Sequence, residues 1–355
     1  MKDELRKVTV LLSVIFAIFC LVNAAPMVFA EEKPIELSMN VAIPERSWTA
    51  QNDMTPFAKR INDLTKGRVK INIFYGSTLS SPKDAYDSAA KGIADIAWGS
   101  HANTPGRFPM MGIFNLLGVG QTMAASQHIL YDLYQQFPEI EAEHKDVKVL
   151  YLYGIKEVTY FLKKPVRTLE DMKGLRLRAT GFAGETLEAY GAAPIGMPLP
   201  EMYMALQRNI IDGTAADWNV ALGFKLQEVT NFATIGPFPS TSAFMVMNLK
   251  KWNALPQDIQ KIFLEEGKKH WLEIGAPADI FTQKVIGIYK GIPGHEVYVI
   301  PPEERVKFLK AAQPVHEKWI ADMEAKGLPG RKLFDETVTL SNKYDAMYPA
   351  PWLEN

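Results

Sequence analysis

Cysteine occurs once in the 355 residues, at Cys20. It falls inside an N-terminal segment that reads as an export leader, so the chain expected after cleavage has no thiol. That excludes a disulfide, a thiolate metal site and a cysteine nucleophile. Long apolar runs are also scarce. The one such stretch, Val8 to Val22, has about 15 residues, short of the roughly 20 that a membrane-spanning helix needs. Charge of one sign is not in excess, with 39 Lys and Arg against 40 Asp and Glu. No basic field therefore draws the chain to nucleic acid or a membrane surface. Histidine is sparse: His101, His128, His144, His270, His295 and His316 are scattered, none one helical turn from a second histidine. No G-x-G-x-x-G, Walker loop or G-x-S-x-G elbow is present. With no cysteine in the exported chain and no histidine cluster, an enzyme is disfavoured.

What is there begins with the leader. Lys2, Arg6 and Lys7, against Asp3 and Glu4, precede the apolar run, and small residues follow it at Val22-Asn23-Ala24 and Val28-Phe29-Ala30. This pattern predicts a cleaved signal peptide over 1–30 and a periplasmic product beginning at Glu31. Phe19, immediately before Cys20, is too large for a lipoprotein cleavage site. Losing three positive and two negative side chains moves the formal charge from −1 to −2. The remaining 325 residues (355 minus 30) are enough for two lobes.

Strand and helix signals then alternate. Residues 35–43, 69–75 and 93–98 read as strands, with helices over 48–65 and 82–91 between them. The β-α-β-α-β order implies a mostly parallel sheet. A helix over 122–137 and a strand over 147–153 follow. A second alternating series contains strands near 159–163, 175–179, 193–197 and 213–217, with helices over 168–173, 185–190 and 200–208. The last third reads as nearly all helix, over 257–289, 303–326 and 335–348, with Pro277 kinking or splitting the first. The fold class expected is α/β: two lobes exchanging strands, wrapped by long C-terminal helices. The division is 31–153 mainly lobe I, 154–250 mainly lobe II and 251–355 wrapping both. Ligands of such sheets bind beyond the carboxyl ends of the strands.

The informative segment is Lys173-Gly-Leu-Arg-Leu-Arg-Ala-Thr180. Strand alternation sends Leu175, Leu177 and Ala179 to one face and Arg176 and Arg178 to the other. Arg178 is nearer the carboxyl end, and a guanidinium fork matches a carboxylate in bidentate fashion. A surface arginine paired with a nearby acid fits the spacing equally.

At these residues the sequence resembles the periplasmic binding component of TRAP transporters, the dicarboxylate-receptor type, and the likeness runs along the whole exported chain. It is carried by Thr55–Phe74, Gly76-Ser-Thr-Leu79, Lys91–Ala97, Thr168–Arg178, Glu201–Gln207 and the pair Asp212-Gly213. The resemblance implies a two-lobed periplasmic binding fold with Arg178 as the carboxylate clamp. It also places Leu199 in a pocket wall, brings Trp98, Ser100 and His101 to the cleft, and sets Phe182 just past the clamp. Two departures bear on the ligand. Where relatives carry a hydrogen-bonding residue such as Asn, this chain has Ala216, followed by Asp217 and Trp218. Where some use a second cation before the clamp, it offers only Lys156. The implied ligand is a monoanionic acid with an apolar or aromatic portion, against Trp98, Phe182 and Trp218. The implied partner is a TRAP membrane transporter driven by an ion gradient. A sensory subunit reporting to a histidine kinase, a periplasmic enzyme and a ferric-binding protein are the rivals. The last draws on Tyr151 and Tyr153, which share a strand face with no carboxylate partner evident in the sequence.

Overall fold

Two sheets organise the chain in a computed structural model that describes residues 33–116, 119–156, 159–179 and 183–353. The predicted leader lies outside them. In chain order the strands are β1 (Ile35–Val41), β2 (Val69–Tyr75), β3 (Ile96–Ser100), β4 (Val147–Ile155), β5 (Thr159–Leu162), β6 (Arg176–Ala179), β7 (Ala193–Gly196), β8 (Gly213–Ala216), β9 (Phe232–Ile235), β10 (Thr241–Asn248) and β11 (Glu296–Val299). The first sheet runs β2-β1-β3-β10-β4 and the second β11-β9-β5-β8-β6-β7. Each is parallel except for one strand. β10 is antiparallel to both β3 and β4, and β5 to both β8 and β9.

One constraint produces both exceptions. β4 leaves the first sheet at its carboxyl edge and continues as β5 in the second; β9 leaves the second and returns as β10 in the first. A strand entering a facing sheet from that sheet's carboxyl edge must run against its neighbours. The carboxyl edges of the two sheets therefore face each other, with the crossings at 156–158 and 236–240.

The helices used below are α1 (Thr55–Leu64), α2 (Ala85–Ala90), α3 (Met123–Gln136), α4 (Met202–Gln207), α5 (Trp218–Gly223), α6 (Gln257–Glu273), α7 (Gly275–Lys290), α8 (Pro302–Ala325) and α9 (Gly330–Met347). A π-turn, Ala50–Met54, precedes α1. One apolar cluster surrounds the first sheet, including Met39, Phe57, Tyr151 and Phe244. Two others cover opposite faces of the second, one with Leu177 and Tyr160, the other with Phe161 and Trp218. α7 packs against α3, α5 and β11, and so touches elements of both sheets.

Three expectations need correction. The C-terminal third is not nearly all helix, because Glu296–Val299 pairs with β9 as a strand. Its alternation is too short to stand out between two long helices. The helix over 257–289 is split at Ile274 rather than at Pro277, since proline is tolerated in the first turn of a helix, where its missing N–H costs nothing. The third concerns β10, which the alternation did not reveal because Ser242 to Asn248 is buried on both faces.

The crossing strands are pinned to the first sheet. The Gln127 side chain continues the ladder beside β4, its Nε2 donating to Gly154 O (3.3 Å) and its Oε1 accepting from Gly154 N (3.2 Å). A Cβ at Gly154 would run into the carbonyl of Ser126. Gly154→Ala should therefore cost about 1–3 kcal/mol of stability through overpacking, read by urea unfolding. An unchanged midpoint would show that α3 yields at this contact.

Candidate functional site

Arg178 lies on β6 in register with Thr214 of β8 and Ile195 of β7. Its neighbour Arg176 is a partly exposed arginine spent on a carboxylate: Asp212 Oδ2 accepts from its Nε (3.0 Å) and Oδ1 from its Nη2 (2.8 Å). Arg178 differs. It is only 8% exposed, its Nε donates to Met197 O (3.0 Å), and no carboxylate pairs with it among the described residues. Burial pulls its pKa down to about 10, partly offset by the nearby Tyr160 hydroxyl. A desolvated cation without an anion is costly. Met197, whose carbonyl Arg178 meets, packs with Leu199 on the Phe161 cluster, Leu199 opening the turn before α4; Ala216, two residues past Thr214, belongs to the same cluster and pairs with Thr159 on β5.

On the facing edge, register places Val41, Trp98, Met245 and Tyr151 in one row and Ser100, Ala243 and Tyr153 in a row nearer the rim. Trp98 is partly exposed, yet its Nε1 is buried without a hydrogen-bond partner. Ser100 Oγ bonds Thr241 Oγ1 (3.1 Å) and ties β3 to the start of β10. Tyr153 lies within electrostatic range of Asp217, which joins the two edges.

The tyrosines do have a carboxylate partner, contrary to expectation. Asp53, fully buried in the π-turn, accepts from Tyr151 Oη (3.0 Å), Tyr153 Oη (2.6 Å) and His270 Nε2. Arg60 Nη2 donates to His270 Nδ1 (2.7 Å), which fixes the neutral tautomer with its proton on Nε2. Burial and Asp53 hold both phenols well above 10. They are hydrogen-bond donors anchoring β4, not tyrosinate ligands.

Two expected site residues are spent elsewhere. His101 offers no free ring nitrogen: Ser242 Oγ bonds its Nδ1 (2.9 Å) and its Nε2 bonds His144 Nε2 (2.9 Å). Because His144 Nδ1 must donate to Ile140 O (2.8 Å), His101 donates to His144 and accepts from Ser242. Trp218 is no pocket wall; it is 1% exposed, edge-on to Phe161 (4.9 Å) and Tyr289 (5.5 Å). Helix geometry turns it inward, since its neighbour Asp217 caps α5, accepting from Asn219 N (2.8 Å) and Val220 N (3.0 Å). Phe182 lies outside the described residues.

Sequence reasoning missed Asn219, buried on the first turn of α5 with Oδ1 unpartnered among the described residues, and the stack of Trp48, in the turn just before the π-turn, on Phe281 of α7 (5.5 Å). No spacing signal marks either. Lys156 is buried with its ammonium 4.1 Å from the Trp352 ring, in the fields of Asp217 and Asp279. Asp279 accepts from Met123 N (2.8 Å) and Ala124 N (2.9 Å) at the start of α3. Burial raises both carboxyls, while the helix N–H groups and Lys156 pull them back.

Residues 41–322 match the family described as bacterial extracellular solute-binding protein, family 7. The chain belongs to this family, the solute receptors of TRAP transporters. Among solved structures, this receptor resembles a TRAP solute-binding protein of Rhodoferax ferrireducens T118 holding copurified benzoate. The identity is 27%, the TM-score 0.80, and the match covers 88% of this chain and 99% of that one. Among curated relatives it is 26% identical to the outer membrane transporter protein TsaT of Comamonas testosteroni, over 89% of this chain and 94% of that protein. It is 27% identical to the 2,3-diketo-L-gulonate-binding periplasmic protein of Escherichia coli (strain K12), over 62% of this chain and 70% of that one. Among the described residues no helix is long and apolar enough to cross a membrane.

Beside the His101–His144 pair, Glu143 behaves oppositely to its neighbour. Burial lowers His144 to about 4 and raises Glu143 to about 8, although Glu143 accepts from Met110 N (2.6 Å). For Glu143 the native state binds a proton that the unfolded chain releases between about pH 4.5 and 8. Its contribution to stability is therefore present in acid and lost as pH rises through 8. For His144 the unfolded chain binds the extra proton, so stability is lost as pH falls from about 6.5 toward 4. Glu143→Gln keeps the acceptor and cannot ionise. Its stability relative to wild type, measured by urea unfolding, should rise steadily from pH 5 to pH 8; a pH-independent difference would show that Glu143 is not held protonated.

Proposed function

We propose that this receptor captures a singly charged carboxylate with an aromatic or apolar body, gripped by Arg178 between the two sheets. The observation that carries the reading is the buried guanidinium of Arg178, which has no carboxylate partner among the described residues. An incoming carboxylate supplies the missing anion and can use both arms of the fork. The Trp98 ring, with its unpartnered Nε1, offers an apolar surface and a spare donor near the facing edge. The benzoate-bound relative supports an aromatic acid.

Capture proceeds by closure of the two lobes about the connections that join the sheets. Ligand favours the closed form to the extent that it binds that form better. Expelling water then strengthens the ion pair. The protein performs no chemistry on its ligand and hands it to the membrane subunits of a TRAP transporter. It reaches the periplasm through removal of residues 1–30, and an exported product beginning at Glu31 is the mark of that step.

Calorimetry on ligand-stripped protein tests the site. Benzoate should bind, and Arg178→Ala should weaken it by about 2–5 kcal/mol, roughly thirty-fold to a few thousand-fold in Kd. Near-native affinity in that variant would remove Arg178 from the clamp. Binding of neutral sugars instead of acids would overturn the ligand class.

A further inference from the structure

We infer that Asp217, together with Asp279 and Lys156, sets the charge the pocket accepts: the end remote from Arg178 refuses a second carboxylate and welcomes a hydrogen-bond donor. The inference rests on the reading of Arg178 as the clamp and adds the residues that decide selectivity.

Register fixes the distance. Thr214 stands opposite Arg178, and Asp217 is three residues further along, its backbone still extended (φ −75°, ψ 161°). At about 3.3 Å per residue and about 4.8 Å between strands, the Cα atoms of Arg178 and Asp217 lie about 11 Å apart. Both residues thus stand at the carboxyl edge of the second sheet, at a separation that one small ligand held by Arg178 could span.

The charges at the far end sum to a negative value. Among the described residues Lys156 is the cation in the fields of both acids, and its ammonium also sits on the Trp352 face. Asp279 spends both oxygens on Met123 and Ala124 N–H groups. Asp217 spends only Oδ1, on the N–H groups of Asn219 and Val220. Its Oδ2 accepts no hydrogen bond from the described residues, and Asn219, 9% exposed, holds a second unused acceptor, Oδ1. Two acceptors and a net charge of −1 suit a hydroxyl or N–H donor. A second carboxylate would be desolvated against a like charge, and such juxtaposition is a strong device for rejecting a wrong ligand. Lys156 does not act as a second clamp, because its charge is already balanced.

Calorimetry with matched probes tests this. Wild type should bind benzoate and 4-hydroxybenzoate at least roughly tenfold more tightly than terephthalate. Asp217→Asn keeps a good helix cap and removes the charge. It should strengthen terephthalate binding about tenfold or more while changing benzoate by less than about threefold. Asp217→Ser, also a capping residue, serves if the first variant fails to fold. Equal binding of benzoate and terephthalate by wild type, or an unchanged ratio in the variant, overturns the charge filter. If wild type ignores both aromatic monoacids, the aromatic reading fails separately, and butyrate against succinate reads the filter by the same criteria. Binding of no probe at all overturns both.

Discussion

The structure turns on a cation buried without its anion. A guanidinium taken out of water costs free energy unless an opposite charge replaces the lost hydration. Arg176, two residues earlier on the same strand, shows the ordinary solution, a bidentate pairing with Asp212 near the surface. Arg178 has, among the described residues, a backbone carbonyl from Met197 instead. On the proposed reading, a carboxylate ligand would supply the anion that Arg178 lacks among the described residues, and that difference between empty and filled states would drive capture.

The surrounding architecture sets that cation at the carboxyl edge of the second sheet. Strands that leave one carboxyl edge and enter the other hold the edges face to face. The buried polar chains stop the crossing strands from slipping. Tyr153, bonded to Asp53, and Ser242, bonded to His101, fix β4 and β10 within one residue of each other in register. Gln127 fastens Gly154 between them. The segment from Gly236 to Ser240 is held as well: Asn115 Nδ2 donates to Ser240 O, Ser240 Oγ donates to Phe114 O, and Tyr190 Oη donates to Pro237 O.

Much of the fold was legible because its elements obey local rules. Period-two alternation between turn residues marked β1, β2 and β4, and strand alternation put Arg176 and Arg178 on one face. What alternation could not show was that the opposite face is also covered, by the cluster of Phe161 and Trp218. Hence Arg178 is buried rather than simply turned to solvent. The missed features depend on long-range meeting of residues. Asp53 and Tyr153 stand 100 positions apart, and His101 meets Ser242 only because β10 inserts beside β3. Trp218 looked like a pocket wall because its strand ends at the cleft. The cap made by Asp217 starts a helix at once and turns the indole inward.

The most direct measurement is a crystal structure of the exported protein with benzoate. The carboxylate should lie about 3 Å from both terminal nitrogens of Arg178, with the ring face toward Trp98 and its para carbon pointing to the Asp217 end. A benzoate seated elsewhere, with Arg178 paired to a protein carboxylate or to nothing, would contradict the clamp on which the rest depends.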